Sequence, residues 1–242
     1  MFFFFFFNYI RFAQKYGIEI SVEEMKEFEQ VLIKHPMLGT KSPVGEKLFE
    51  AIRFHKELEE GRILYKLDEY GTHTLLFRGR NRKSDLNPAY TSTDMWAPPS
   101  GYSSHGRYNS IGVPVLYLAD DKAAVPYEIH TAHDEDVDIG TFQLERNLLL
   151  FDIGEFNNEF EGFVADTRIE SRQLKHSYLI PNFIGACCNY LGYDGVIFKG
   201  TRGHDLHYTN YGLFNYKDGE DLSIVGNPIS YKQILERKLE IK

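Results

Sequence analysis

The spacing of apolar residues changes period once along this chain, and that change limits the folds open to it. Up to residue 58 the pattern is helical. Ser21, with Glu24 three residues on, reads as a capping box, and Val22, Met25, Phe28, Val31 and Leu32 then share one helical face until His35-Pro36. Leu48, Ala51, Ile52, His55 and Leu58 predict a second helix, closed by Gly61. His35 and His55 lie on or near these helices and read as structural or surface histidines. From Thr72 the apolar runs are short and bounded by turn residues, at 74–80, 113–119, 141–145, 148–152, 196–198 and 211–214, as strands are. A later apolar run predicts a helix over 178–191 ending at Gly192, and a charged helix is expected over 231–242. Helices gathered ahead of strands give an α+β class, with a helical N-terminal region over residues 1–66 and a second region over 67–242.

A chain of 242 residues that is 43% hydrophobic and 15% aromatic can bury a sizeable core. Its net charge of −8, from 27 basic and 35 acidic residues, argues against a nucleic-acid partner, whose phosphates need a basic face. A local basic pocket for a small anion stays open. Cys187 and Cys188 are adjacent in an apolar segment and read as buried small hydrophobes. Two cysteines alone make no zinc site, and a reducing, cytoplasmic setting fits them. The run from Phe2 to Phe7 is too short to span a bilayer and lacks the flanks of a secretory signal. It is expected to dock on the domain, within a first helix reaching Phe12 and Tyr16, or to form a partner or homodimer surface.

Residues 101–129 hold the densest functional signal. A Gly-rich polar loop carries Arg107, a buried strand follows over 113–119, and a helix is expected to open near Asp120-Asp121 and to carry Glu128. Such an arrangement suits an anionic ligand whose reacting centre becomes positive; the plainer alternative is a surface loop with an ordinary Arg and a solvated Glu. Arg78 and Arg80, at a strand end, either clasp phosphate or form a solvated pair. Tyr90, Trp96, Tyr102 and Tyr108 either wall a planar ring or plug the long loop onto the core.

Taken in order, Leu76-Phe77-Arg78-Gly79-Arg80, Gly106-Arg107-Tyr108-Asn109, Gly112 to Ala119, Glu128, Gly192-Tyr193-Asp194-Gly195-Val196 and Asn210-Tyr211-Gly212-Leu213-Phe214 resemble the RES-domain family. That family is named for an Arg, a Glu and a Ser. The likeness spans about residues 70–216. It implies an ADP-ribosyltransferase-like mixed β core with flanking helices. It also implies a toxin of a bacterial toxin–antitoxin pair that degrades NAD, by hydrolysis or phosphorolysis of the nicotinamide–ribose bond. NAD is then a substrate, inorganic phosphate is a second one if phosphorolysis operates, and a cognate antitoxin is a partner. No resident cofactor, metal or membrane is implied.

Carried over position by position, the resemblance puts catalytic roles on Arg78, Arg107, Glu128 and Thr201. It puts substrate contacts on Arg80, Tyr108, Asn109, Tyr117 and Gly200. The two arginines would hold the pyrophosphate, Tyr117 would pack on a ring, and Glu128 would stabilise the ribosyl cation. The departure is Gly200-Thr201, where the family usually reads Ser-Ser. It keeps open two rival readings, an ADP-ribosyltransferase and a non-catalytic nucleotide- or partner-binding relative.

Overall fold

The computed structural model describes residues 3–83, 87–132, 135–156, 178–200 and 206–231. Its first part is helical: α1 (Phe3–Lys15), α2 (Val22–Lys34) and α3 (Pro43–Glu57). The expected capping box starts α2, with Glu24 N–H on Ser21 Oγ at 3.1 Å and Ser21 N–H on Glu24 Oε2 at 2.7 Å. Ser42 caps α3, with Pro43 in its first turn, where a missing N–H costs nothing. From Phe6 onward α1 packs on the chain itself. Phe6, Tyr9 and Phe12 are buried, while Phe7 is 53% exposed. The end of α1 is tied down by Tyr16 Oη donating to Glu60 Oε2 at 2.6 Å, and by Lys15 beside Glu60 and Glu155.

Nine strands among the described residues form one mixed sheet: β1 (Arg62–Leu64), β2 (Leu75–Arg82), β3 (Leu116–Ala119), β4 (Asp136–Leu144), β5 (Leu148–Asp152), β6 (Gly195–Lys199), β7 (Thr209–Leu213), β8 (Leu222–Ile224) and β9 (Ile229–Tyr231). Their order is β1-β5-β6-β7-β3-β2-β4-β8, with β9 also on β4. Only β5 and β6 run parallel. Between those two the chain includes α5 (Leu179–Tyr190), which Gly192 follows in the left-handed conformation, φ +78°. The class is therefore α+β. Tyr231, expected to open a terminal helix, belongs to a strand; residues 232–242 lie outside the described set, as do most of the polar segment 154–177.

Alternation along the strands sorts their side chains to two faces. Phe151, Val196, Phe198 and Tyr117 join the cluster built by α1, α2, α3 and α5. Leu116, Leu118, Leu148, Leu150 and Ile197 point the other way. That second face is covered by the long loop after β2 rather than by a helix. Met95 is fully buried there, and Trp96 meets Phe142 edge-on at 5.0 Å and stacks on Tyr216 at 5.9 Å. Tyr90 and Trp96 are thus loop plugs. Cys187 and Cys188 are free and buried in α5. No helix among the described residues is long and apolar enough to cross a membrane.

The helix expected from Asp120 is a single late turn, α4 (Val125–Glu128). The two aspartates explain the delay. Asp120 Oδ1 accepts from the Thr209 N–H at 2.8 Å, and Asp121 Oδ1 from the Ala123 N–H at 2.7 Å. Short acidic side chains bonding locally to backbone compete with helix formation.

Candidate active site

A cleft of about 390 Å³ opens on the helix-side face of the sheet, lined by Phe77, Gly79, Arg107, Tyr117, Glu128 and Phe198 among others. Separate segments meet there. β2 supplies Phe77 and Gly79, β3 supplies Tyr117, α4 supplies Glu128, β6 supplies Phe198, and the Gly-rich loop supplies Arg107. α4 packs closely over Gly79: a Cβ there would overlap Val125 and lie 2.9 Å from Ile129. The missing side chain lets the turn carrying Glu128 sit directly on β2.

The Arg107 wall is held by two buried amides. Asn109, 4% exposed, donates from Nδ2 to the carbonyls of Ser104, Ser110 and Val113 at 2.8 to 3.1 Å. Its Oδ1 accepts from Tyr117 Oη at 2.9 Å, and that hydroxyl accepts in turn from the Tyr108 N–H at 2.9 Å. Burial pushes the Tyr117 phenol well above its ordinary value, so the hydroxyl stays neutral and can both give and take. Asn182 of α5 donates to the carbonyls of Gly106 and Arg107, both at 2.8 Å, while its Oδ1 faces His105 Nε2 and Ser110 Oγ. The loop's polar backbone is thereby satisfied while its own cation is spared. The Arg107 guanidinium rests over the Phe198 ring at 5.3 Å and has no ion-pair partner among the described residues. Tyr108 is buried against Phe198; burial pushes its phenol up to about 12, with the Arg107 cation opposing.

Glu128 is half-buried on the opposite wall. Its Oε1 accepts a hydrogen bond from Tyr208 Oη. Its Oε2 has no donor among the described residues. Arg107, Tyr117 and Glu128, all from the stretch 101–129, thus border one cavity.

The other expected residues are placed differently. Arg78 borders the cleft through its strand, but its neighbours Phe77 and Gly79 face α4, so its side chain projects to the far face. Its Nη1 donates to the Met95 carbonyl at 3.1 Å. Burial, and then the neighbouring Arg80 cation, pull its pKa down to about 10, with Tyr216 opposing, so it remains cationic at neutral pH. Arg80 lies over the Tyr90 ring at 5.3 Å. Asn109 holds the loop and is shielded from the cleft's solvent. Gly200 packs against the Tyr208 ring. Thr201 lies outside the described residues.

Sequence reasoning missed Tyr208 and Asn182. A signal for the first was present: Tyr211 and Leu213 lie on the loop-covered face, so alternation sends Tyr208 and Asn210 to the cleft side. For Asn182, a polar residue inside the apolar run Leu179 to Ala186 marked a buried amide needing partners.

Among solved structures, one chain of the crystal structure of the M. tuberculosis MbcT–MbcA toxin–antitoxin complex is similar to this one. The TM-score is 0.43 and the identity 14%, over 69% of this chain and 89% of that one. No curated protein matches the sequence. Residues 78–232, more than half of the chain, match the RES domain. That span contains Arg107, Tyr117 and Glu128 together with the strands and the turn that hold them, and the chain belongs to the RES domain family.

Proposed function

We propose that the chain degrades NAD by cleaving the bond between nicotinamide and ribose, as the toxin of a toxin–antitoxin pair. The observation that carries this reading is the pairing, in one cleft, of an Arg107 cation without an ion-pair partner among the described residues and a Glu128 carboxylate with one oxygen that has no donor among them. The first suits the pyrophosphate of a dinucleotide. The second suits a sugar carbon that becomes positive during reaction. Phe198, Tyr117 and Phe77 offer apolar and aromatic surface for a ring. Membership in the RES domain family points to the same chemistry.

The step needs little from the protein. The glycosidic bond from ribose C1′ to the pyridinium nitrogen breaks, and its electron pair stays on nitrogen. Nicotinamide therefore leaves neutral and requires no proton. The positive charge passes to the ribose, where Glu128 stabilises it. Water then adds to C1′ and loses a proton, giving ADP-ribose. Alternatively a phosphate oxygen adds, giving ADP-ribose phosphorylated at C1′. The Thr201 hydroxyl is assigned a contact to ribose or phosphate, and a cognate antitoxin protein is the proposed partner.

The test is NAD depletion by the purified chain, with and without phosphate, with products resolved by chromatography. Free nicotinamide with ADP-ribose is the hydrolytic outcome, and a phosphorylated ADP-ribose formed only with phosphate is the phosphorolytic one. Intact NAD from folded protein, in the absence of any acceptor, would overturn the proposal in favour of ADP-ribosyl transfer or binding without turnover.

A further inference from the structure

We propose that Tyr208 is the positioning residue of the site: its phenol holds Glu128 Oε1 so that Oε2 alone faces the substrate. This rests on the reading of Glu128 as the carboxylate that meets the ribosyl cation. Glu128 is the last residue of the single turn α4, and among the described residues Tyr208 alone donates to its carboxylate.

Tyr208 is built to be a fixed point. It is 4% exposed and packs with Ala124, Val125 and Val137 beneath α4. Its carbonyl accepts from the Gly200 N–H at 2.9 Å. Its ring lies flat against Gly200, where any Cβ would overlap ring carbons. Gly200 is therefore the space that lets the ring pass and the hydroxyl reach Glu128. A phenol has one O–H, so the bond to Oε1 fixes the carboxylate plane while occupying one oxygen only. A bond to a charged acceptor is among the stronger ones a buried hydroxyl makes.

Tyr208→Phe tests this in the full-length chain, since it keeps the ring on Gly200 and removes the hydroxyl alone. The expected result is a kcat lower by about tenfold with a KM for NAD within about twofold. In a Glu128→Gln background the same change should have no further effect on rate, because the two groups act as one unit. Gly200→Ala, which displaces the ring without touching the hydroxyl, should reproduce the kcat loss. An unchanged kcat for Tyr208→Phe overturns the proposal. So does a loss explained by a proportional drop in folded protein, or an undiminished Tyr208→Phe effect in the Glu128→Gln background.

Crystal structures of the wild-type and Tyr208→Phe proteins read the carboxylate directly. If the wild-type chain leaves NAD intact, the functional reading fails and this structural comparison alone decides the point. Positioning stands if the Glu128 carboxylate turns or splits into conformers in the variant, and falls if it keeps its orientation.

Discussion

The two walls of the cleft are held in different ways. The Arg107 wall is a loop without regular structure, and it is stitched through its backbone: Asn109 and Asn182 supply buried amides, and Tyr117 supplies a hydroxyl that ties Asn109 and the Tyr108 N–H to the sheet. The Glu128 wall is a single helical turn set down on a glycine, with apolar packing below and one phenol on its carboxylate. The contrast follows from what each wall presents. An irregular loop exposes backbone carbonyls that must find donors. A helical turn on a sheet satisfies much of its own backbone, so its remaining freedom lies in the side chain. Damage to the first wall should appear as lost stability and weaker binding, and damage to the second as lost rate.

Glu128→Gln should show the largest effect, a fall in turnover on the order of a hundredfold or more, equivalent to about 2–4 kcal/mol of transition-state stabilisation. The shape is kept and Gln can still accept from Tyr208, so the thermal midpoint should move little. Steady-state NAD kinetics with a melting curve checks both halves; full activity would remove the distinction between the walls.

Asn182→Ala comes next and should do the opposite. It strips the donors from the Gly106 and Arg107 carbonyls, at a cost of about 2–3 kcal/mol in urea unfolding, with a raised KM for NAD. A kcat loss at constant stability and KM would mean that the loop acts in the chemical step.

Tyr117→Phe sharpens the same wall with a smaller change. It keeps the ring but leaves the Tyr108 N–H and one lone pair of Asn109 without their partner, about 1–2 kcal/mol by denaturant titration. A cost near zero would show that the loop is held by Asn182 alone.

The smallest expected effect serves as a control away from both walls. His55 is fully buried among Phe12, Phe151 and Tyr193, with Nδ1 on Tyr193 Oη at 2.9 Å. Burial lowers its pKa, while Glu155 and Glu60 pull the other way. The folded state therefore resists the proton that the unfolded state accepts below about pH 6.5. The contribution of His55 to stability is present above that pH and declines as pH falls toward its lower, folded value. His55→Gln should flatten the stability profile between about pH 7 and 5 without altering the pH dependence of NAD turnover. An unchanged slope would place the acid sensitivity elsewhere.

Much of the fold was legible in the sequence. The Ser21–Glu24 pair, the apolar spacing of α3 and the glycine after α5 each mark an element through interactions within a few residues. The ordered Arg107, Tyr117 and Glu128 were legible too, because all three lie within one short stretch whose strand and turn carry them to a common cavity. The start of α4 was not, since Asp120 is occupied by the Thr209 backbone, a partner 89 residues away. The docking of the first helix was narrowed by composition to a covered surface, and the structure shows this chain's own core covering Phe6, Tyr9 and Phe12.

What the sequence by itself determined is most of the elements, though not β1, β8 and β9, and the chemical groups they carry, because period, capping and turn residues act locally. It determined alternation as well: Arg78 must oppose Phe77 and Gly79 on β2. Only the tertiary structure decided which face of the sheet holds the cleft, and so sent the Arg78 guanidinium to Met95 while Tyr117 and Glu128 stayed with Arg107. It alone brought Tyr208 to Glu128 and Asn182 to the Arg107 loop. Strand alternation and helix spacing assign residues to faces without saying what those faces will meet, and the partner of a buried polar group is set by packing between segments tens of residues apart.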